Sequence, residues 1–141
     1  CADTSTLQTA DLVCSPNLRS LYGTSTGFTS LDMSATTVLS LLGCSGNVFQ
    51  ALDISMRDRL FELGCVDCGL TTLDLGANPL MKTLSCADNN ITDLDISNNP
   101  MMDMLDCTGN PSTLRIKVWE DFDTEDIPYG FKVPSGTEYY Y

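Results

Sequence analysis

Residues Leu39 to Arg59 read LSLLGCSGNVFQALDISMRDR, and Met81 to Met101 read MKTLSCADNNITDLDISNNPM. Set one above the other, they agree at an apolar first position, then at Leu, Cys, Asn, an apolar residue, and the run Leu-Asp-Ile-Ser. Leu18 to Val38 and Leu60 to Leu80 fit the same frame, a further copy opens at Met102, and residues 7 to 17 supply the tail of an earlier one. Asp11, Asp32, Asp53, Asp74 and Asp95 recur every 21 positions, as do Leu21, Leu42, Leu63, Leu84 and Leu105. Cys44, Cys65, Cys86 and Cys107 form a third register, and Leu7, Phe28, Phe49, Leu70 and Ile91 a fourth. A fixed period of about 20 to 29 residues predicts a solenoid, because one such coil is too small to bury its own apolar face and must stack.

Alternation within a coil supports this. Leu42-Gly43-Cys44 and Leu84-Ser85-Cys86 put two side chains inward and the middle one outward, the period of a strand. Leu52-Asp53-Ile54 and Leu94-Asp95-Ile96 repeat the pattern, predicting a second short strand on the opposite side of each coil. Pro79, Pro100 and several Asn between these segments leave no room for a helix. Strands stacked about 4.8 Å apart make five coils a rod roughly 24 Å long. An inward Asn (Asn47, Asn89, Asn110) can satisfy backbone groups that a tight turn would orphan, with Thr26 and Cys68 as departures from that column.

The motif L-x-x-L-x-L-x-x-N-x-L, shown cleanly by Leu39, Leu42, Cys44, Asn47 and Phe49 and again by Met81, Leu84, Cys86, Asn89 and Ile91, resembles the leucine-rich repeat family. The likeness is to short bacterial repeats that alternate L-x-C-x-x-N-x-L with L-D-L-S-x-N, and it covers residues 7 to about 113. It implies a right-handed leucine-rich-repeat solenoid of about five coils, of the α/β class but mostly β, with a parallel sheet on its concave face and second short strands opposite. After Asn110 the beat breaks. Leu114 to Trp119 alternates one residue out of register, and residues 114–141 read as a C-terminal capping segment, ending in a Tyr-rich strand as similar bacterial proteins do. Residues 1–17 read as an N-terminal cap or partial repeat, and the whole as a single domain.

Composition narrows function. Of 141 residues, 19 are acidic and 7 basic, a net charge of -12, with no histidine. Nucleic acid and anionic membrane surfaces both require clustered cations, which are absent. No apolar run reaches the roughly 18 residues of a membrane span. Without histidine the commonest general base and metal ligand are missing, and no nucleophile motif, phosphate loop or isolated carboxylate pair stands out, so the chain reads as non-catalytic and free of cofactor.

Each remaining chemical motif has a structural address. Cys65-x-x-Cys68 would suit a redox pair or half a zinc site, but a zinc site needs two further ligands, and a redox thiol wants a helix N-terminus. The repeat instead puts Cys65 in the buried Leu column and Cys68 in the Asn column. The ladder Cys44, Cys65, Cys86, Cys107 reads as buried thiols, since stacked side chains point the same way and do not favour the disulfide dihedral. Cys1 and Cys14 fall outside those columns. They stay open between mutual pairing, a bacterial lipid anchor at Cys1, and an accident of where the chain starts. The Asp column calls for hydrogen bonds to backbone or to Ser34, Ser55 and Ser97. Asp121-x-Asp123-x-Glu125 echoes a calcium loop, but Asp126 and Lys132 stand where Gly and Glu are needed.

Function then falls to a surface. The outward positions around L-x-C include Tyr22, Leu41, Phe61, Val66 and Met104, apolar side chains where solvent is expected. The resemblance implies recognition of a protein or a glycan through this concave face, by a secreted or cell-surface bacterial protein. The alternative is a structural spacer or display repeat with no ligand of its own.

Overall fold

A computed structural model describes residues 9–12, 15–49, 51–55 and 57–141. Cys1 and Cys14, and with them the pairing and lipid-anchor expectations, lie outside the described residues. Eleven three-residue strands follow in order: β1 (Thr9–Asp11), β2 (Ser20–Tyr22), β3 (Ser30–Asp32), β4 (Leu41–Gly43), β5 (Glu62–Gly64), β6 (Thr83–Ser85), β7 (Asp93–Asp95), β8 (Met104–Asp106), β9 (Arg115–Lys117), β10 (Gly130–Lys132) and β11 (Glu138–Tyr140). No helix is present among the described residues.

The chain is a parallel β-solenoid. Its long sheet has six strands in the order β2-β4-β5-β6-β8-β10. Leu21, Leu42, Leu63, Leu84 and Leu105 are direct partners across it, so the sequence period is the strand register itself. The last step is longer: Leu105 pairs with Phe131. The sheet therefore has one strand more than the repeats predict, because β10 and β11 lie in the segment whose spacing no longer shows the period.

The opposite side is less continuous than alternation suggests. β1 pairs with β3, and β7, β9 and β11 form a three-stranded sheet, but the coils at 51–53 and 72–74 carry no strand there. Those coils are held at that side by packing, since Leu52, Ile54, Leu73 and Leu75 are buried, and by side-chain hydrogen bonds. Asn78 Nδ2 donates to the Ile54 and Arg57 carbonyls at 3.0 and 2.8 Å, and Asn99 Nδ2 to those of Leu75 and Asn78 at 3.3 and 2.8 Å. Asn78 and Asn99 belong to a second inward polar column with Thr36 and Arg57, all four buried.

The core fills the space between the two sides. Leu42, Leu63, Cys65, Cys86, Leu105 and Cys107 are at most 1% exposed, and each such Leu contributes about 1.5–3 kcal/mol by leaving water. The main Asn column acts as expected. Asn89 Oδ1 accepts from the Cys68 and Leu70 amides at 3.1 and 2.9 Å, and its Nδ2 donates to the Cys65 and Cys86 carbonyls at 2.8 and 3.0 Å. Asn47 and Asn110 make the corresponding bonds. Each side chain ties its own coil to the one before it.

Turn geometry is equally repetitive. Ser25, Gly46, Asp67, Asp88 and Gly109 occupy one position of five successive coils, and all have left-handed backbone, with φ from 51° to 73°. At Gly109 a Cβ would lie 2.0 Å from Asp88 Oδ1, so any other residue there would have to displace that carboxylate as well as adopt the left-handed backbone. Asp67 and Asp88 hold the same conformation without glycine's freedom, at a cost of about 1–2 kcal/mol each.

The final turn is closed by aromatic rings. Phe122 is buried, with its ring centroid 4.8 Å from Trp119 edge-on, 5.9 Å from Phe131 and 5.6 Å from Tyr139. Tyr141 donates its hydroxyl to the Phe122 carbonyl at 3.0 Å.

Candidate functional site

The long sheet presents two outward columns on either side of its buried leucines. One is Ser20, Leu41, Glu62, Thr83, Met104, Gly130; the other is Tyr22, Gly43, Gly64, Ser85, Asp106, Lys132. Of the five residues singled out from sequence, Tyr22, Leu41 and Met104 lie on these columns, Phe61 immediately precedes β5, and Val66 follows it. Tyr22, Met104 and Phe61 are 70%, 54% and 41% exposed. Leu41 and Val66 are half-buried.

The five do not form one patch. Tyr22, Leu41, Phe61 and Val66 lie on or beside the first three strands of the long sheet. Met104 is four strand steps from Tyr22, about 19 Å away. Around Met104 the face is indented: Thr83, Ser85, Asp106, Gly130 and Lys132 line a cleft of about 140 Å³. It exists because Gly130 brings no side chain to the column that carries Thr83 and Met104. Its walls offer a thioether, two hydroxyls, a carboxylate and an ammonium group.

A second feature of the face was not singled out from the sequence. The Tyr22 ring lies across Gly43, where a Cβ would approach its Cδ1 to 2.9 Å, while at the neighbouring Gly64 a Cβ would meet nothing closer than Ser45 Oγ at 3.7 Å. A signal existed, since Gly43 and Gly64 are one period apart. Gly130 and Lys132 could not be placed the same way, because the last coil departs from the period.

The Asp column is a row of exposed turns. Asp53 Oδ1 accepts from the Ser55 amide at 2.9 Å and hydroxyl at 2.6 Å, and Asp95 makes the same pair with Ser97. Asp32 takes the Ser34 amide at 2.9 Å and Asp74 the Gly76 amide at 2.8 Å. At Asp32, Asp53 and Asp95 these bonds favour the ionised form. The Ser34 amide and hydroxyl lower the Asp32 pKa, and the Ser55 hydroxyl and amide lower that of Asp53. At Asp95 partial burial pushes up, but the Ser97 hydroxyl and amide and Lys117 outweigh it, for a net lowering. Asp123 Oδ1 likewise accepts the Glu125 and Asp126 amides at 2.8 and 3.2 Å, forming a local turn in the acidic segment. Among the described residues no group of three or more His, Cys, Asp or Glu is arranged to hold a metal ion.

Cys44, Cys65, Cys68, Cys86 and Cys107 are free, buried thiols. Cys86 and Cys107 stack with sulfurs 3.8 Å apart. Contact with Cys86, then burial, raises the Cys107 thiol, and burial raises Cys65. Cys68 replaces the Asn of its coil as a donor, its Sγ reaching the Cys44 carbonyl at 3.3 Å. The Cys44 thiol and the Asn47 and Gly46 amides hold Cys68 down to about 7, and the same contact raises Cys44. With no exposed sulfur at Cys65 or Cys68, the Cys-x-x-Cys pair is part of the core.

No protein-family model and no curated protein matches the chain. In structure it is similar to the functional domain of InlJ from Listeria monocytogenes, described as including a cysteine ladder. The TM-score is 0.55 and the identity 24%, over 84% of this chain and 39% of that one. This chain thus matches well under half of that protein's length. The likeness shows the fold: a leucine-rich-repeat-like β-solenoid.

Proposed function

We propose that this chain is a non-catalytic binding module of the short bacterial leucine-rich repeat type, from a secreted or cell-surface protein, that recognises another protein through the outward face of its long sheet. One observation carries the reading: Tyr22, Phe61 and Met104 expose large apolar side chains on a face whose other outward residues, the half-buried Leu41 and Val66 aside, are small or polar. The exposed part of such a side chain adds nothing to the fold and serves as an anchor when a partner removes it from water. The strands beneath hold them at fixed spacing, so little ordering is lost on binding. A glycan is the second reading, favoured by the flat Tyr22 ring next to the bare Gly64 backbone.

The test compares wild-type chain with the double variant Leu41→Asp, Met104→Asp as baits for partners of the producing organism. A specific protein held at high salt by wild type and lost by the variant, with the melting temperature unchanged, is the expected result. Identical capture by both baits overturns the reading and leaves the solenoid as a spacer.

A further inference from the structure

A separate apolar surface lies off the strands, at one corner of the coil. Leu80 and Met101 occupy the same position of consecutive repeats and are 45% and 48% exposed. Each follows an exposed proline, Pro79 or Pro100, whose ring restricts the corner backbone. One coil earlier the position is Arg59, so the stripe begins at Leu80. At its other end β10 pairs with β8, placing Gly130 opposite Met104. The contact is close enough that a Cβ on Gly130 would strike the Asp103 carbonyl. The chain entering β10 thus continues the corner that Met101 turns one coil earlier, with Ile127 half-buried against the core and Tyr129 fully exposed.

Directly before Ile127, the segment from Glu120 to Asp126 carries Glu120, Asp121, Asp123, Glu125 and Asp126, all exposed. Among the described residues the ion pairs are Arg115–Asp93 and Lys117–Asp95, so none of these five carboxylates has a cationic partner there. Two cations flank the stripe in the coil register: Arg59, at its start, and Lys82, in the column between Phe61 and Asp103, both on the side away from the acidic segment. A second copy of this chain, at net charge -12, would be repelled from such a corner.

We propose that the corner docks a basic amphipathic segment of a partner protein. Its apolar face would lie on the Leu80–Met101–Ile127 stripe, and its Lys and Arg side chains would face the carboxylates of residues 120–126. The chemistry is complementary on both counts: Met and Leu side chains adapt to a packed apolar face, and an unneutralised acidic rim steers cations and sets orientation. This surface does not depend on the outward face of the long sheet, because neither Leu80, Met101 nor the acidic segment lies on a strand.

The experiment uses the full chain and a labelled synthetic Leu/Lys amphipathic peptide of roughly 18 residues, read by fluorescence anisotropy across a salt series, with a Leu/Glu peptide as comparator. Three variants are compared after thermal melts confirm folding. Leu80→Ser with Met101→Ser should weaken Leu/Lys binding by about tenfold or more. Asp121→Asn, Asp123→Asn, Glu125→Gln and Asp126→Asn together should weaken it similarly and flatten its salt dependence. Removing the same charge elsewhere, through Asp32→Asn, Asp53→Asn, Asp67→Asn and Asp74→Asn, should change it by less than about threefold. No binding of the Leu/Lys peptide, no effect at Leu80 and Met101, or an equal loss from the two charge variants would each overturn the proposal, the last showing only diffuse attraction to an acidic protein.

Discussion

The coils from Leu39 to Met101 and the turn that follows Pro111 solve the same packing problem by different means. In the repeats most inward positions are assigned by their column: Leu to fill, Cys to pack, Asn to bond two coils together. The last turn abandons the period, inserts an acidic segment, and replaces the Leu-Cys-Asn columns with Phe122 at the centre of Trp119, Phe131 and Tyr139. Yet its backbone continues the same ladder. Cys44, Cys65 and Cys86 amides donate to Gly64, Ser85 and Asp106 carbonyls at 2.7–2.8 Å, and Cys107 donates to Lys132 at 2.7 Å. Backbone pairing sets the path of a solenoid, then, while side-chain periodicity is needed only where a coil must match neighbours on both sides.

The largest effects should come from cavities. Leu84→Ala is expected to cost about 2–5 kcal/mol and Phe122→Ala about 3–5 kcal/mol in denaturant titrations. A cost below about 1 kcal/mol at Phe122 would separate the last turn from the cooperative unit.

Next comes the column that only the repeats possess. Asn89→Ala strands the Cys68 and Leu70 amides and the Cys65 carbonyl without their side-chain partner, while the Cys86 carbonyl keeps Asn110 Nδ2. With about 1–3 kcal/mol for each buried group left unpaired, the loss should reach at least about 2 kcal/mol. A near-neutral result in the same titration would mean that the repeats are held by packing alone.

A gain is expected in the turns. Asp67→Gly relieves left-handed backbone at an exposed position and should stabilise by up to about 1 kcal/mol, offset by the greater freedom of glycine in the unfolded chain. Clear destabilisation on thermal melting would show that the Asp67 side chain has a role of its own.

The smallest effect is electrostatic. Asp32 and Asp53 have lowered pKa values in the fold, so their contribution is present above the unfolded value of 3.8 and is lost as pH falls through the lower folded values. The double variant Asp32→Asn, Asp53→Asn should therefore lose less stability than wild type between about pH 5 and about pH 3. Equal losses would remove the Asp column from the account of acid sensitivity.

What the sequence made legible follows the same division. The long-sheet register, the buried Cys ladder, the Asn bonds and the Asp–Ser turns could all be read, because one residue per coil repeats one physical job. The gap in the second sheet at 51–53 and 72–74 could not: Leu52-Asp53-Ile54 alternates as well as Leu94-Asp95-Ile96, and whether the backbones pair depends on the stack. The Thr36–Arg57–Asn78–Asn99 column was hidden by its mixed residue types. On the candidate face, single exposed positions were legible, but not that Tyr22 and Met104 lie at opposite ends of it. The cleft beside Met104 depends on Gly130, outside any period.

Amide hydrogen exchange at the four ladder cysteines tests most directly whether the last segment is a full turn of the same solenoid. Cys44, Cys65, Cys86 and Cys107 each donate to the following turn, so all four should be strongly protected, with Cys107 within about tenfold of Cys65. Exchange at Cys107 as fast as at an exposed loop amide, with Cys65 still protected, would contradict a ladder running through β10.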